Sequence, residues 1–89
     1  MEQADHLPLR REPRAPAYEA LRERFVEARK SAGFTQQRLA DRIGKPQSFI
    51  AKIENGERYL DVIEFVALAE ILEINVSEVF QSVRSKLVP

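Results

Sequence analysis

Cysteine and tryptophan are absent from this sequence, and histidine occurs once. Without cysteine there is neither a disulfide framework nor a thiolate zinc site, so stability must come from packed apolar side chains. The same usage suits a reducing cytoplasm, where the chain is expected to reside. His6 has no second histidine to join it, and no metal or other cofactor is expected. With no cysteine, that one histidine and no paired carboxylates set toward a pocket, the chain offers no nucleophile, general base or metal-bound water, and it is not expected to be an enzyme. No apolar run approaches the roughly 18 residues of a membrane span. The opening MEQADHLPLRREPRAP is charged and broken by proline, unlike a secretory signal.

An excess of one charge is missing as well, because 14 basic and 14 acidic residues cancel. The cancellation hides a gradient. Residues 34–60 carry five basic groups (Arg38, Arg42, Lys45, Lys52, Arg58) against three acidic ones, whereas residues 61–89 carry two basic against five acidic. One end of the domain is thus suited to facing phosphates and the other to facing water or protein, although two solvated helix faces would show the same balance. Eighty-nine residues make room for one domain with a thin core, burying roughly two thirds or less of the unfolded surface. A deep cleft does not fit in it.

Residues 1–16 hold three of the five prolines and the basic cluster Arg10, Arg11 and Arg14, and are expected to form a tail. The domain proper is expected over 17–83, with 84–89 continuing the last helix or trailing from it. Five helices are expected and no strand. The first runs from Pro16 to Ala32 with Leu21, Phe25, Ala28 and Ala32 at helical spacing and Gly33 as its stop. Thr35 offers an N-cap to a helix of about two turns whose inward residues are Leu39, Ala40 and Ile43, ended by Gly44. Pro46 suits the first position of a third helix that closes at Asn55 and Gly56. Asp61 caps a fourth with Ile63, Val66, Ala67, Leu68, Ile71 and Leu72 as apolar positions. Ser77 is expected to cap a fifth with Val79, Phe80, Val83 and Leu87.

Two short helices joined by a tight turn containing glycine, with flanking helices to supply a core, match the arrangement of a DNA-reading helix-turn-helix. Rotation of the third helix at 100° per residue sharpens this reading. Gln47, Ser48, Ala51, Lys52 and Asn55 fall on one arc, and Pro46, Phe49, Ile50 and Ile53 on the opposite one. If the polar arc enters a major groove, Gln47 can pair with adenine N6 and N7, Ser48 can donate or accept, Lys52 can address guanine or a phosphate, and Ala51 can touch a thymine methyl. The bland alternative is a solvated face of an amphipathic helix.

Residues 32–58, AGFTQQRLADRIGKPQSFIAKIENGER, resemble the Cro and phage repressor (XRE) superfamily, whose pattern G-x-[ST]-Q-x-x-L-A-x-x-x-G precedes a helix ending in I-E-x-G. The resemblance extends loosely over residues 18–80. It implies an all-α, five-helix bundle of the lambda-repressor-like type, with the third helix as recognition helix. It also implies that Gln36 holds a phosphate and braces Gln47, while Thr35, Lys45, Asn55 and Arg58 contact the flanking DNA backbone. The free amides at the start of the second helix suit a phosphate. The plainer reading is that Gln36 caps its own helix and Arg58 is a solvated loop residue.

Glu54 falls on the inward arc, where a bare carboxylate would be costly to bury. The resemblance points to Arg29 as its partner in a structural ion pair. Phe49 replaces the small polar residue of many relatives and either packs on the second helix or touches DNA. A single recognition helix reads only a few base pairs, so the expected partner is double-stranded DNA with an inverted repeat, bound by a homodimer. Val83, Leu87 and Val88 extend the fifth-helix stripe and are expected at the seam, unless they close the protomer's own core. The expectation is therefore a sequence-specific transcriptional regulator. A protein-interaction or antitoxin-like module with the same fold is the alternative.

Overall fold

A computed structural model describes Glu12 and residues 15–87, all in helices, turns and loops. The basic cluster at Arg10, Arg11 and Arg14, His6, and Val88 lie outside the described residues. Five helices follow one another: α1 (Pro16–Ser31), α2 (Gln36–Arg42), α3 (Gln47–Glu54), α4 (Val62–Leu72) and α5 (Val76–Arg84). The first begins one residue ahead of the expected domain boundary, with Ala15 buried at its N-cap.

Local chemistry sets these boundaries. Thr35 accepts a hydrogen bond from the Arg38 N–H at 3.0 Å and so satisfies one of the amide donors left open at the start of α2. After α2 the Lys45 N–H reaches back to the Ala40 carbonyl at 3.0 Å, a wrap that requires a left-handed residue between them. Gly44 supplies it at φ 68°, where a side chain would be strained. The same closure ends α1 and α3. At the end of α4 no glycine is available, and Glu73 takes the left-handed conformation itself, at φ 54°.

Two helix starts differ from expectation. Pro46 is the N-cap of α3 and not its first helical residue, with extended backbone at ψ 158°. The cap of α5 is Asn75 and not Ser77: its side chain accepts from the Glu78 N–H at 3.2 Å, leaving Ser77 inside the first turn. At α4 the capping box is complete, with Asp61 accepting from the Glu64 N–H and the Glu64 carboxylate accepting from the Asp61 N–H.

The core draws Phe25 from α1, Leu39 and Ala40 from α2, Ile50 and Ile53 from α3, and Leu68 and Leu72 from α4. The first four helices turn their inward stripes to one common centre, α2 and α3 pack directly on each other, and α5 packs on α1. Arg24 bridges α1 and α5 through Glu78 at 3.6 Å. Not all the apolar positions of α4 and α5 reach this core. Ile63 is 77% exposed, Phe80 66% and Val66 57%. The reason is visible in the α4 sequence, VIEFVALAEIL, which is apolar nearly all round, so that covering one side leaves another bare. Among the described residues no helix is long and apolar enough to cross a membrane.

Candidate nucleic-acid interface

The face of α3 turned away from the core carries Gln47, Ser48, Lys52 and, just beyond its end, Asn55, all exposed, with Ala51 half-buried between them. The opposite side is sealed by Ile50 and Ile53. Apolar contacts thus fix how α3 rotates about its axis, and the polar side chains point outward as a consequence.

Beneath this face lies a buried ion pair. The Arg29 Nε donates to Glu54 Oε2 at 2.6 Å and its second terminal nitrogen to Oε1 at 3.0 Å. The remaining terminal nitrogen donates to the Phe34 carbonyl at 2.8 Å, in the turn before α2. Side-chain exposure is 10% for Arg29 and 7% for Glu54. Geometry of this kind, planar and bidentate, is what a guanidinium offers a carboxylate. It ties α1, the turn before α2 and the C-terminal end of α3 to one another.

A third partner extends the pair. The Gln36 Nε2 donates to Glu54 Oε1 at 2.8 Å, and the Gln36 Oε1 accepts from the Gln47 Nε2 at 2.7 Å. An unbroken series of hydrogen bonds therefore runs from the core, through the first residue of α2, to the first residue of α3. Sequence reasoning paired Arg29 with Glu54 and Gln36 with Gln47. It missed the bond that joins the two pairs.

The remaining expected contacts are distributed around this centre. Thr35 uses its hydroxyl oxygen as the α2 cap and retains its proton for donation. Lys45 and Arg58 lie over the Phe49 ring, 5.4 and 4.4 Å from its centroid. Phe49 itself is half-buried against the core cluster, so packing is its structural role, with the two cations as its outer cover. Arg58 has a further partner, since its guanidinium donates to both oxygens of Glu64 at 3.1 and 3.3 Å. That bond holds the Glu64 carboxyl below its ordinary value, against the opposing effect of burial and with help from the Asp61 amide and the charges of Arg58 and Lys45. Glu64 did not figure in the sequence reading, although its place three residues after Asp61 marks it as a capping-box residue.

On another side of the molecule α1, α4 and α5 leave a trough of about 560 Å³ whose walls include Val62, Val66, Val76 and Phe80. Val83 and Leu87 are half-buried along the same trough. Among the described residues no cluster of histidine, cysteine, aspartate and glutamate is placed to hold a metal ion.

Comparison with known proteins agrees with this geometry. The family described as Helix-turn-helix matches residues 26–79. The solved structure of an XRE-family like protein from Pseudomonas syringae pv. tomato str. DC3000 is 42% identical, covers 78% of this chain and 84% of that one, and superposes with a TM-score of 0.69. The clp gene regulator ClgR from C. glutamicum, at 18% identity, shares the fold with a TM-score of 0.67 over 96% of this chain and 100% of that one. No match is found among curated proteins. The matched residues span α2, α3 and their flanking helices, and the chain therefore belongs to the XRE family of helix-turn-helix proteins, DNA-binding regulators of transcription.

Proposed function

We propose that this protein is a sequence-specific repressor that binds an inverted-repeat operator as a homodimer, with α3 in the major groove. The observation that carries this reading is the outward face of α3, where Gln47 stands on an anchored hydrogen-bond series at the start of the helix. Gln47, Ser48, Ala51 and Lys52 contact base edges. Thr35, Gln36, Lys45 and Asn55 contact the sugar-phosphate backbone and set register. Arg58 joins them as a weaker contributor, because Glu64 already neutralises part of its charge.

The exposed apolar trough of α4 and α5 supports the dimer. An apolar surface of this kind on a small domain marks an interaction site, and a homodimer that reads two successive half-sites needs its α3 helices roughly 34–36 Å apart.

The test is selection of bound sequences from random duplex DNA, repeated with Gln47→Ala. An inverted repeat whose half-sites lose preference at one or two positions in the variant is expected. The second reading, a protein-interaction or antitoxin-like module, is favoured by the same apolar trough and by the zero net charge. It requires that no sequence be enriched, and that residual DNA affinity lack the steep fall with salt that several phosphate contacts produce.

A further inference from the structure

We propose that Glu54, although buried and out of reach of DNA, sets which base Gln47 prefers. The inference rests on the reading of α3 as a recognition helix. It starts from what each group can do in a hydrogen bond. A carboxylate only accepts, whereas a glutamine amide has a donor side and an acceptor side that exchange on a flip of the terminal torsion.

Glu54 takes two N–H bonds from Arg29 and presents Oε1 to Gln36 at 2.8 Å. Only the donor side of Gln36 is tolerated there, since the flipped amide would set oxygen against oxygen. The acceptor side of Gln36 must then face Gln47, and Gln47 must answer with its own donor side, at 2.7 Å. The direction fixed at the buried end is thereby passed outward through two amides.

The consequence at the surface is chemical. Gln47 spends one N–H on Gln36 and keeps the other N–H beside a carbonyl oxygen. A donor next to an acceptor complements adenine, which offers N7 as acceptor and N6 as donor. In the reverse direction Gln47 would accept from Gln36 and keep both N–H groups, and two donors complement guanine O6 and N7. Glu54 therefore acts as a positioning residue for specificity, with Gln36 as its intermediary. Replacing its acceptor-only carboxylate by an amide removes the constraint on direction.

The experiment uses the full chain and four duplexes, each carrying the best selected operator with a different base pair at the position most altered by Gln47→Ala. Binding isotherms give the adenine-to-guanine affinity ratio. The wild type is expected to prefer adenine by about tenfold, in line with one good bidentate contact. Glu54→Gln is expected to lower that ratio fivefold or more, mainly by improved guanine binding.

Gln36→Met serves where Glu54→Gln fails to fold. It leaves the Arg29–Glu54 pair in place, should keep a melting temperature within a few degrees of wild type, and is expected to bring the ratio to about 2 by releasing the Gln47 amide. A merely structural role would lower affinity for all four duplexes alike and leave the ratio unchanged. The proposal is overturned if the folded variants keep the wild-type ratio within twofold while Gln47→Ala abolishes it. If Gln47→Ala alters no position at all, the recognition-helix reading falls, and the proposal with it.

Discussion

Replacing Arg29 by alanine removes three hydrogen bonds at once, two to the Glu54 carboxylate and one to the Phe34 carbonyl. Glu54 would keep only the bond from Gln36, with 7% of its side chain exposed to water. Breaking a buried pair on one side costs about 3–5 kcal/mol, because the charge left behind is neither solvated nor neutralised. A domain of this size is stable by roughly 4–13 kcal/mol in total. Each kcal/mol moves the melting temperature of such a domain by about 4–8 °C. The expected fall is therefore at least about 12 °C, and the variant can lie near its folding threshold at 37 °C. Thermal and urea unfolding followed by circular dichroism measure it.

The double variant Arg29→Ala/Glu54→Ala sharpens the argument, since removing both charges leaves no stranded ion. It is expected to be more stable than Arg29→Ala alone. A loss below about 1 kcal/mol for Arg29→Ala, or a double variant destabilised by the sum of its singles, would refute the reasoning.

Phe80→Glu in the apolar trough should shift sedimentation from dimer to monomer while costing under about 0.5 kcal/mol of protomer stability, because the ring is already 66% exposed; an unchanged dimer would move the seam elsewhere. Glu73→Gly should raise stability by about 0.5–1 kcal/mol in urea titration by relieving the left-handed backbone at φ 54°. Because the Glu64 pKa is lowered in the fold, its stabilisation is present above the ordinary value of about 4.5 and is lost as pH falls through the lower folded value. Removing its chief partner by Arg58→Ala should therefore make the decline in stability below about pH 4.5 shallower; parallel curves for variant and wild type would count against the pair. Gly44→Ala should cost about 1–2 kcal/mol through the left-handed turn that joins α2 to α3.

The first three helices were legible in the sequence because their signals are local, apart from Pro46, which precedes α3 as its N-cap. Thr35 and Gly44 bracket α2 within ten residues, and the apolar arc of α3 is unambiguous. The start of α5 was misread for an equally local reason. Asn75 and Ser77 are both capping residues, but only Asn75 has an acidic residue at the third helical position, Glu78, whereas Ser77 has Phe80 there.

The faces of α4 were harder, since a helix apolar on every side carries no periodic mark of which side is covered, and Ile63 and Val66 gave no sign that they would stay bare. The link from Gln36 to Glu54 was beyond reading because it spans 18 residues of sequence and depends on how α2 crosses α3. Glu64 was overlooked because its capping-box spacing from Asp61 was not read, and its pairing with Arg58 depends on how the loop before α4 folds.

The acceptor that Gln36 turns toward residue 47 also sets rules for redirecting this scaffold to new operators. Its oxygen asks for a donor, so a library at position 47 would be filtered by chemistry before any base is met. Lysine and arginine satisfy Gln36 and still extend donors into the groove, which steers retargeted variants toward guanine. Glutamate sets oxygen against oxygen and would need Gln36 exchanged in the same step. Positions 36 and 47 therefore form a two-letter word in any redesign, and searching them one at a time would miss the combinations that work.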